Sequence, residues 1–151
     1  MIGPIAYLDS SSIVKRYVEE PGSRTVRDVY LKAYSAELTI AFSSWNMGEV
    51  LGAFDKAFIR GNLNSEDYLA ARKRFLLETR RLMRLEVLRL IPLRLKLLIE
   101  SWGLLEKYHV YQADSLQIAS AKAIDATQFF TGDKKLHEVA NSEGLNSTLT
   151  I

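Results

Sequence analysis

Four acidic residues in separate parts of the sequence have the type and placement to bind a metal ion together. Asp9 directly follows a short apolar run, and Glu49 lies about two helical turns beyond a second one. Asp114 falls in the first turn of a helical segment, and Asp133 follows a third apolar run. If these runs are parallel strands, their carboxyl ends share one edge of a sheet, where α/β folds bind ligands. The spacing therefore predicts that the four carboxylates converge.

Convergent carboxylates favour one kind of chemistry. They repel one another, which raises their pKa values unless cations neutralise them. Mg²⁺ and Mn²⁺ prefer oxygen ligands, and a cation held by carboxylates can activate water beside a phosphodiester. The chain has no cysteine and only two histidines, His109 and His137. Thiolate metal sites and cysteine nucleophiles are thus excluded, and histidine-rich sites are disfavoured.

Each acid also has an ordinary structural interpretation. Asp9 precedes three serines and could be a plain N-cap, and Asp114 could be an acid that the helix dipole favours. Glu49 could be a solvated helix residue, and Asp133 could belong to a turn. The grouping of all four, more than any one of them, points to a site.

Positive charge is concentrated in the middle of the chain. Residues 60–96 contain ten basic and four acidic residues, a net charge of +6, whereas the remainder carries −4. This asymmetry permits a polyanionic partner. Taken alone it is more often a solvated helix face, since charged helices usually serve solubility.

No segment of the sequence predicts a membrane protein. The N-terminal residues lack a basic region followed by a long apolar stretch, as a signal peptide would have. The most apolar segment, residues 82–105, is interrupted by six charged side chains. We therefore expect a cytoplasmic protein with no membrane contact.

Strand and helix signals alternate along the chain, which predicts a mostly parallel sheet of four to five strands with helices on both faces. No linker or repeat divides the sequence, so residues 1–151 are predicted to form one α/β domain. The strands are predicted at 5–8, 38–42, 85–91 and 128–130, with 147–151 as a candidate fifth. Helices are predicted at 12–18, at 23–36 with Ser23 as the cap, and from 43 or 44 to about 60. A further helix begins at 64 or 65, and another follows the third strand and ends near 107. The last two are predicted at 111–124 and 134–142.

Four sequence blocks resemble the motifs of PIN-domain ribonucleases, particularly the VapC-type toxins of toxin–antitoxin pairs. Any one block is a weak signal, but all four occur in the family's order and together span the chain. The blocks are Tyr7-Leu8-Asp9-Ser10-Ser11-Ser12-Ile13-Val14-Lys15-Arg16-Tyr17, Ser44-Trp45-Asn46-Met47-Gly48-Glu49-Val50, Ala113-Asp114-Ser115-Leu116-Gln117-Ile118-Ala119-Ser120-Ala121 and Phe130-Thr131-Gly132-Asp133-Lys134-Lys135-Leu136.

The resemblance implies a function and a set of functional residues. The acids Asp9, Glu49, Asp114 and Asp133 would bind one or two Mg²⁺ or Mn²⁺ ions and cleave RNA endonucleolytically. The resemblance further implies a homodimer and a cognate antitoxin that blocks the site. The hydroxyl residues that would orient a carboxylate or water are Ser10 or Ser11, and Thr131.

One position departs from the family pattern. Some branches carry an additional acid near the fourth one, where this chain has Lys134 and Lys135. A second ion is therefore expected to bind weakly or only together with RNA.

Other enzyme classes fit the sequence less well. A haloacid-dehalogenase-like enzyme needs a second aspartate two residues after the first, where Ser11 stands, and a response-regulator receiver needs an acid adjacent to Asp9. Glycine-rich phosphate loops and the Gly-x-Ser-x-Gly elbow are both missing. The remaining alternative is a non-catalytic PIN-like module that binds RNA or another protein.

Overall fold

Five parallel strands form a single sheet. The computed structural model describes residues 3–151. The strands lie in the order β3-β2-β1-β4-β5, and every neighbouring pair is parallel, which confirms the predicted sheet. They are β1 (Ile5–Leu8), β2 (Thr39–Ser43), β3 (Leu88–Ile91), β4 (Gln128–Thr131) and β5 (Ser147–Leu149).

Seven helices connect the strands in the described part of the chain. Several begin at residues that the sequence marks as caps: the side chains of Asp9, Ser43 and Asn64 each accept a backbone N–H of the first turn. The helices are α1 (Ser10–Tyr17), α2 (Ser23–Tyr34), α3 (Ser44–Ile59), α4 (Ser65–Arg84), α5 (Leu95–Tyr108), α6 (Gln112–Ala123) and α7 (Lys134–Ser142).

The strand order creates a switch point between β1 and β4. From β1 the chain moves outward to β2 and β3, then crosses back to β4 and continues to β5 on the other side. Right-handed crossovers in these two directions place helices on both faces of the sheet, as predicted. Helices α1–α4 accordingly pack on one another, and α5–α7 form a second group. A crevice at the carboxyl ends of β1 and β4 is where this topology binds ligands.

The core is continuous through the sheet and lies beneath that crevice. All four residues of β1 are buried, and the ring of Tyr7 stacks on that of Phe129 in β4 with centroids 5.4 Å apart. On the α1–α4 side, Tyr17 packs edge-on against both Phe54 and Phe75. These buried rings hold β1, β4 and α1 in fixed relation, and the ends of these elements carry the candidate site.

Two predicted boundaries differ from the structure. The apolar run at 85–91 is a strand only from Leu88, because α4 continues to Arg84 and Glu86 adopts a left-handed φ of 61° between the two elements. Ser23 is the first residue of α2 and not its cap; Gly22 occupies the cap position, and the Ser23 hydroxyl accepts the Glu20 N–H.

Among residues 3–151, no helix combines the length and the apolar character that crossing a bilayer requires.

Candidate active site

Asp9 lies at the end of β1 and is nearly inaccessible, with 5% of its surface exposed. Its Oδ1 atom accepts the Ser12 backbone N–H at 3.0 Å and the Ser11 hydroxyl at 2.7 Å. The first of these bonds makes Asp9 the N-cap of α1, so the capping interpretation of this residue is confirmed. Its other carboxylate oxygen, Oδ2, faces β4.

Thr131 and Ser11 connect Asp9 to the loop after β4. The Thr131 hydroxyl donates to Asp9 Oδ2 at 2.5 Å and accepts the Asp133 N–H at 3.0 Å. Ser11 Oγ, which donates to Asp9, accepts the Gly132 N–H at 2.9 Å. Two hydroxyl groups thus bridge the ends of β1 and β4 on either side of one carboxylate.

These hydrogen bonds oppose the effect of burial on Asp9. Burial raises the pKa of this carboxyl, because the charged form is deprived of water. The donors from Thr131, Ser11 and Ser12 act in the opposite direction, because each stabilises the charged form.

Glu49, on α3, is held from the first turn of α1. The Ser10 hydroxyl donates to Glu49 Oε1 at 2.7 Å. Ser10 Oγ in turn accepts a hydrogen bond from Asn46 Nδ2 at 2.8 Å. Asn46 is fixed because its Oδ1 accepts the Ser43 N–H, which completes the capping box of α3. The position of the Glu49 carboxylate therefore depends on the start of its own helix.

A buried polar network that the sequence analysis did not identify lies beneath these residues. Gln117 Oε1 accepts the Tyr7 hydroxyl at 2.6 Å and Asn46 Nδ2 at 2.8 Å. Tyr7, Asn46 and Gln117 come from β1, α3 and α6, so the network joins three of the elements around the crevice. Asn46 and Gln117 both lie inside the sequence blocks quoted above. The only feature of the sequence that could have identified them is that each is an amide side chain in a largely apolar segment.

The negative charge of Asp114 is the least stabilised among the four acids. It is half-buried in the first turn of α6, and no residue within 3–151 donates a hydrogen bond to its carboxylate. Burial, followed by the charges of Asp133, Asp9 and Glu49, raises its pKa to about 6. All three other acids thus lie near enough to disfavour its ionisation.

Asp133 is the exposed member of the group. Its Oδ1 atom accepts the Lys135 and Leu136 N–H groups at 2.8 and 3.1 Å, so it caps α7. Asp133 and Asp114 both line one cavity of about 470 Å³. The four predicted acids are therefore neighbours at the switch point, although two of them also cap helices.

The donor set suits a hard divalent cation. Carboxylates and hydroxyls supply only oxygen, and the mutual repulsion at Asp114 is the electrostatic condition that a cation relieves. Within the described residues, however, no three Asp, Glu, His or Cys side chains are arranged around one common ion position. The chemistry fits, and sharing one ion would require side-chain rotation.

Comparison with known proteins identifies the family. Residues 6–142 match the family model of the PIN domain. The chain belongs to the PIN domain family. This match covers all four acids, together with Ser10, Ser11 and Thr131. A search of curated proteins finds no match.

Solved structures share this fold, and one of them is described as a toxin. VapC20 of Mycobacterium tuberculosis, described as a toxin that cleaves the sarcin–ricin loop, is 14% identical with a TM-score of 0.64 over 93% of this chain and 95% of that one. VapBC2 of Rickettsia felis, bound to a promoter DNA fragment, is 21% identical with a TM-score of 0.62 over 96% and 98%. FitAcB of Neisseria gonorrhoeae is 17% identical with a TM-score of 0.62 over 94% and 95%. At these identities the likeness shows a shared fold.

Proposed function

We propose that this PIN domain is a metal-dependent endoribonuclease and the toxin of a type II toxin–antitoxin pair. The observation that carries the proposal is the convergence of four acids at the switch point of a chain in the PIN family: the hydroxyls of Thr131 and Ser10 tie Asp9, Asp133 and Glu49 to the ends of β1 and β4, and Asp114 lines the same cavity as Asp133. Like charges gathered this closely destabilise a fold unless a cation neutralises them, and helix capping explains only Asp9 and Asp133.

In this proposal Asp9, Glu49, Asp114 and Asp133 hold one or two Mg²⁺ or Mn²⁺ ions. When bound, such an ion supplies Lewis-acid activation of water and stabilises the negative charge that develops during phosphodiester hydrolysis. Asp114, which lacks a hydrogen-bond donor among the described residues, has both oxygens free to act as ligands.

The hydroxyl residues have a positioning role. Thr131 and Ser11 fix the two oxygens of Asp9, and Ser10 fixes one oxygen of Glu49. This arrangement keeps Asp9 and Glu49 oriented while no cation is present, so less conformational entropy is lost when one binds. The side-chain rotation that a shared ion requires then falls mainly to Asp114, which accepts no hydrogen bond within residues 3–151.

The toxin assignment extends the proposal to partners. The related structures include toxin–antitoxin complexes, VapBC2 and FitAB bound to DNA. The chain also exposes an apolar stripe with helical spacing on α5, formed by Leu95, Ile99 and Trp102, which are 67%, 50% and 47% exposed. Exposed apolar surface of this kind supports a protein partner, such as the antitoxin or a second copy of the chain in a homodimer.

The direct test is RNA cleavage by the purified protein with mapped 5′ ends. We expect cuts at discrete sites in Mn²⁺ or Mg²⁺ and none with EDTA, and we expect Asp9→Asn to abolish them. Asp55→Asn, which changes an exposed acid on α3, is the matched control. RNA affinity that survives EDTA, without cleavage in any metal, would favour the non-catalytic module instead.

A further inference from the structure

A cavity of about 470 Å³ opens beside Asp114 and Asp133, between the starts of α6 and α7. Its volume lies in the range of small-ligand sites, about 300–1,000 Å³. Acidic residues form only part of the wall. The cavity is lined by His109, Val110, Tyr111, Asp114, Asp133, Lys135 and Leu136.

Tyr111 is the unusual member of this wall, because no role in the fold explains it. Its side chain is 84% exposed, although aromatic rings usually contribute to cores. It occupies the N-cap of α6, where serine, threonine, aspartate or asparagine is favoured, and it makes no side-chain cap hydrogen bond. The ring thus neither packs in the core nor caps the helix.

The backbone beneath this ring is firmly held. The Tyr111 carbonyl accepts the N–H groups of Asp114 and Ser115, both at 3.0 Å. Just before it, His109 turns the chain from α5 into α6 with a left-handed φ of 55°. Tyr111 therefore presents an aromatic face from a fixed backbone position, three residues from one of the proposed ion ligands.

This combination of groups matches the chemistry of an unpaired nucleotide. Bases of single-stranded RNA stack on exposed aromatic side chains, whereas bases inside a duplex have no free face. The second requirement is a positive charge for the phosphate. Lys135 supplies it, since its exposed side chain lines the same cavity.

We infer that this cavity binds one unpaired nucleotide of a single-stranded RNA, with its base stacked on Tyr111 and its phosphate near Lys135. The inference rests on the proposed ribonuclease function and names the two side chains that hold one nucleotide of its substrate. It places a recognised base beside the acids, so that the scissile phosphodiester lies within a nucleotide or so of that base.

The test measures binding of a fluorescein-labelled single-stranded RNA by anisotropy, in EDTA and at low salt, so that no cleavage occurs. Removing the ring with Tyr111→Ala should weaken binding about ten- to a hundredfold, the usual effect of losing one base–aromatic stack. Tyr111→Phe retains the ring and should bind like the wild type. Because the side chain is exposed, neither variant should alter the melting temperature.

An abasic scan identifies the stacked nucleotide. Replacing one base at a time by an abasic site should weaken wild-type binding most at one position, and at that position Tyr111→Ala should cause no further loss. Equal losses at every position, or equal affinities of the Tyr111→Ala, Tyr111→Phe and wild-type proteins, would overturn the inference. Failure of the wild type to bind RNA in EDTA would overturn it as well.

Adjacent lysines provide a second, internally controlled measurement. Lys135→Ala should reduce the slope of log affinity against log salt by about 0.7, the value for one phosphate contact on a single strand. Lys134→Ala removes the same charge from an exposed neighbour that does not line the cavity, and should leave the slope unchanged. An unchanged slope for Lys135→Ala together with a reduced slope for Lys134→Ala would contradict the inference. Metal-dependent cleavage by the wild type would in that case still support the ribonuclease proposal.

Discussion

Asp9 shows that a structural role and a proposed chemical role can coexist in one side chain. Its Oδ1 atom caps α1, while Oδ2 accepts the Thr131 hydroxyl. Asparagine keeps one acceptor oxygen for the cap and removes the charge. Asp9→Asn is therefore expected to preserve the fold and to eliminate cation binding, which makes it the most informative single substitution in the site.

Asp114→Asn should stabilise the protein in the absence of metal. Its folded-state pKa of about 6 lies above the unfolded value near 3.8, so ionisation opposes folding as pH rises through this range. Replacing the carboxyl should increase the free energy of unfolding by about 1–2 kcal/mol at pH 8, about half of what the full shift would give, because solvent screens this half-buried group. At pH 4 the increase should be almost nothing. Urea denaturation in EDTA at the two pH values measures the difference.

Asp55→Asn is the control for this comparison, since it removes an exposed acid elsewhere. A loss of stability in Asp114→Asn at pH 8, or a gain of the same size at pH 4, would show that burial and the neighbouring acids do not destabilise the ionised group.

At the level of elements, sequence spacing predicts where the acids lie but not what supports them. Asp9 and Asp133 follow strands, so the rule for parallel sheets places them together. Asn46 and Gln117 lie in helices and have no comparable signal, because hydrogen-bond partners 71 residues apart cannot be read from local periodicity. Similarly, Gly22 is required because a Cβ there would lie 2.4 Å from the Thr150 carbonyl oxygen, at the far end of the chain.

The buried network predicts a large effect for Asn46→Ala. This change removes the reciprocal bond of the α3 capping box and the two hydrogen bonds that Asn46 Nδ2 donates, to Ser10 and to Gln117. We expect a loss of about 2–4 kcal/mol in the free energy of unfolding, since caps and buried hydrogen bonds each contribute about 1–2 kcal/mol. Chemical denaturation measures it, with the exposed Asn62→Ala as the control; equal stabilities of the two variants would contradict the network.

The ion cluster around Glu143, at the end of α7, predicts that the stability of the fold decreases at low pH. Its carboxylate binds Lys122, Tyr108 and Lys107, which lowers its pKa to about 2 and ties α7 to α5 and α6. A lowered pKa stabilises the fold above the unfolded value near 4.5, and this stabilisation is lost as pH falls toward 2.

Glu143→Gln should therefore reduce stability by about 1–2 kcal/mol at pH 6, with a difference that narrows steadily below pH 4.5. Glu106→Gln on α5 is the exposed control. A difference between wild type and Glu143→Gln that stays constant from pH 6 to pH 3 would rule out this ion cluster as its cause.

For the whole molecule, the alternation of strand and helix signals was sufficient to predict the sheet, its parallel pairing and the location of the crevice. The order of the strands required the structure, as did the boundary of β3. Residues 85–91 form one apolar run in the sequence, yet the strand begins only at Leu88, because α4 extends to Arg84 and Glu86 turns the chain with a left-handed φ of 61°.

The basic middle of the chain belongs mainly to α4, whose Arg72 and Lys73 are exposed. Arg74 lies over the Tyr17 ring at 5.6 Å and is therefore partly engaged in packing. If the exposed pair contacts RNA phosphates, replacing both by glutamine should reduce the salt slope of binding by about 1.4, or about 0.7 for each contact. An unchanged slope would show that this face of α4 is exposed to solvent and makes no contact with RNA phosphates.

The most direct test of the account is a calorimetric titration of the metal-free protein with Mn²⁺. The wild type should bind Mn²⁺ saturably, Asp9→Asn and Asp114→Asn should each lose at least about tenfold in affinity, and Asp55→Asn should match the wild type. If both site variants bound Mn²⁺ as the wild type does, the four acids would not form a cation site and the nuclease proposal would fail.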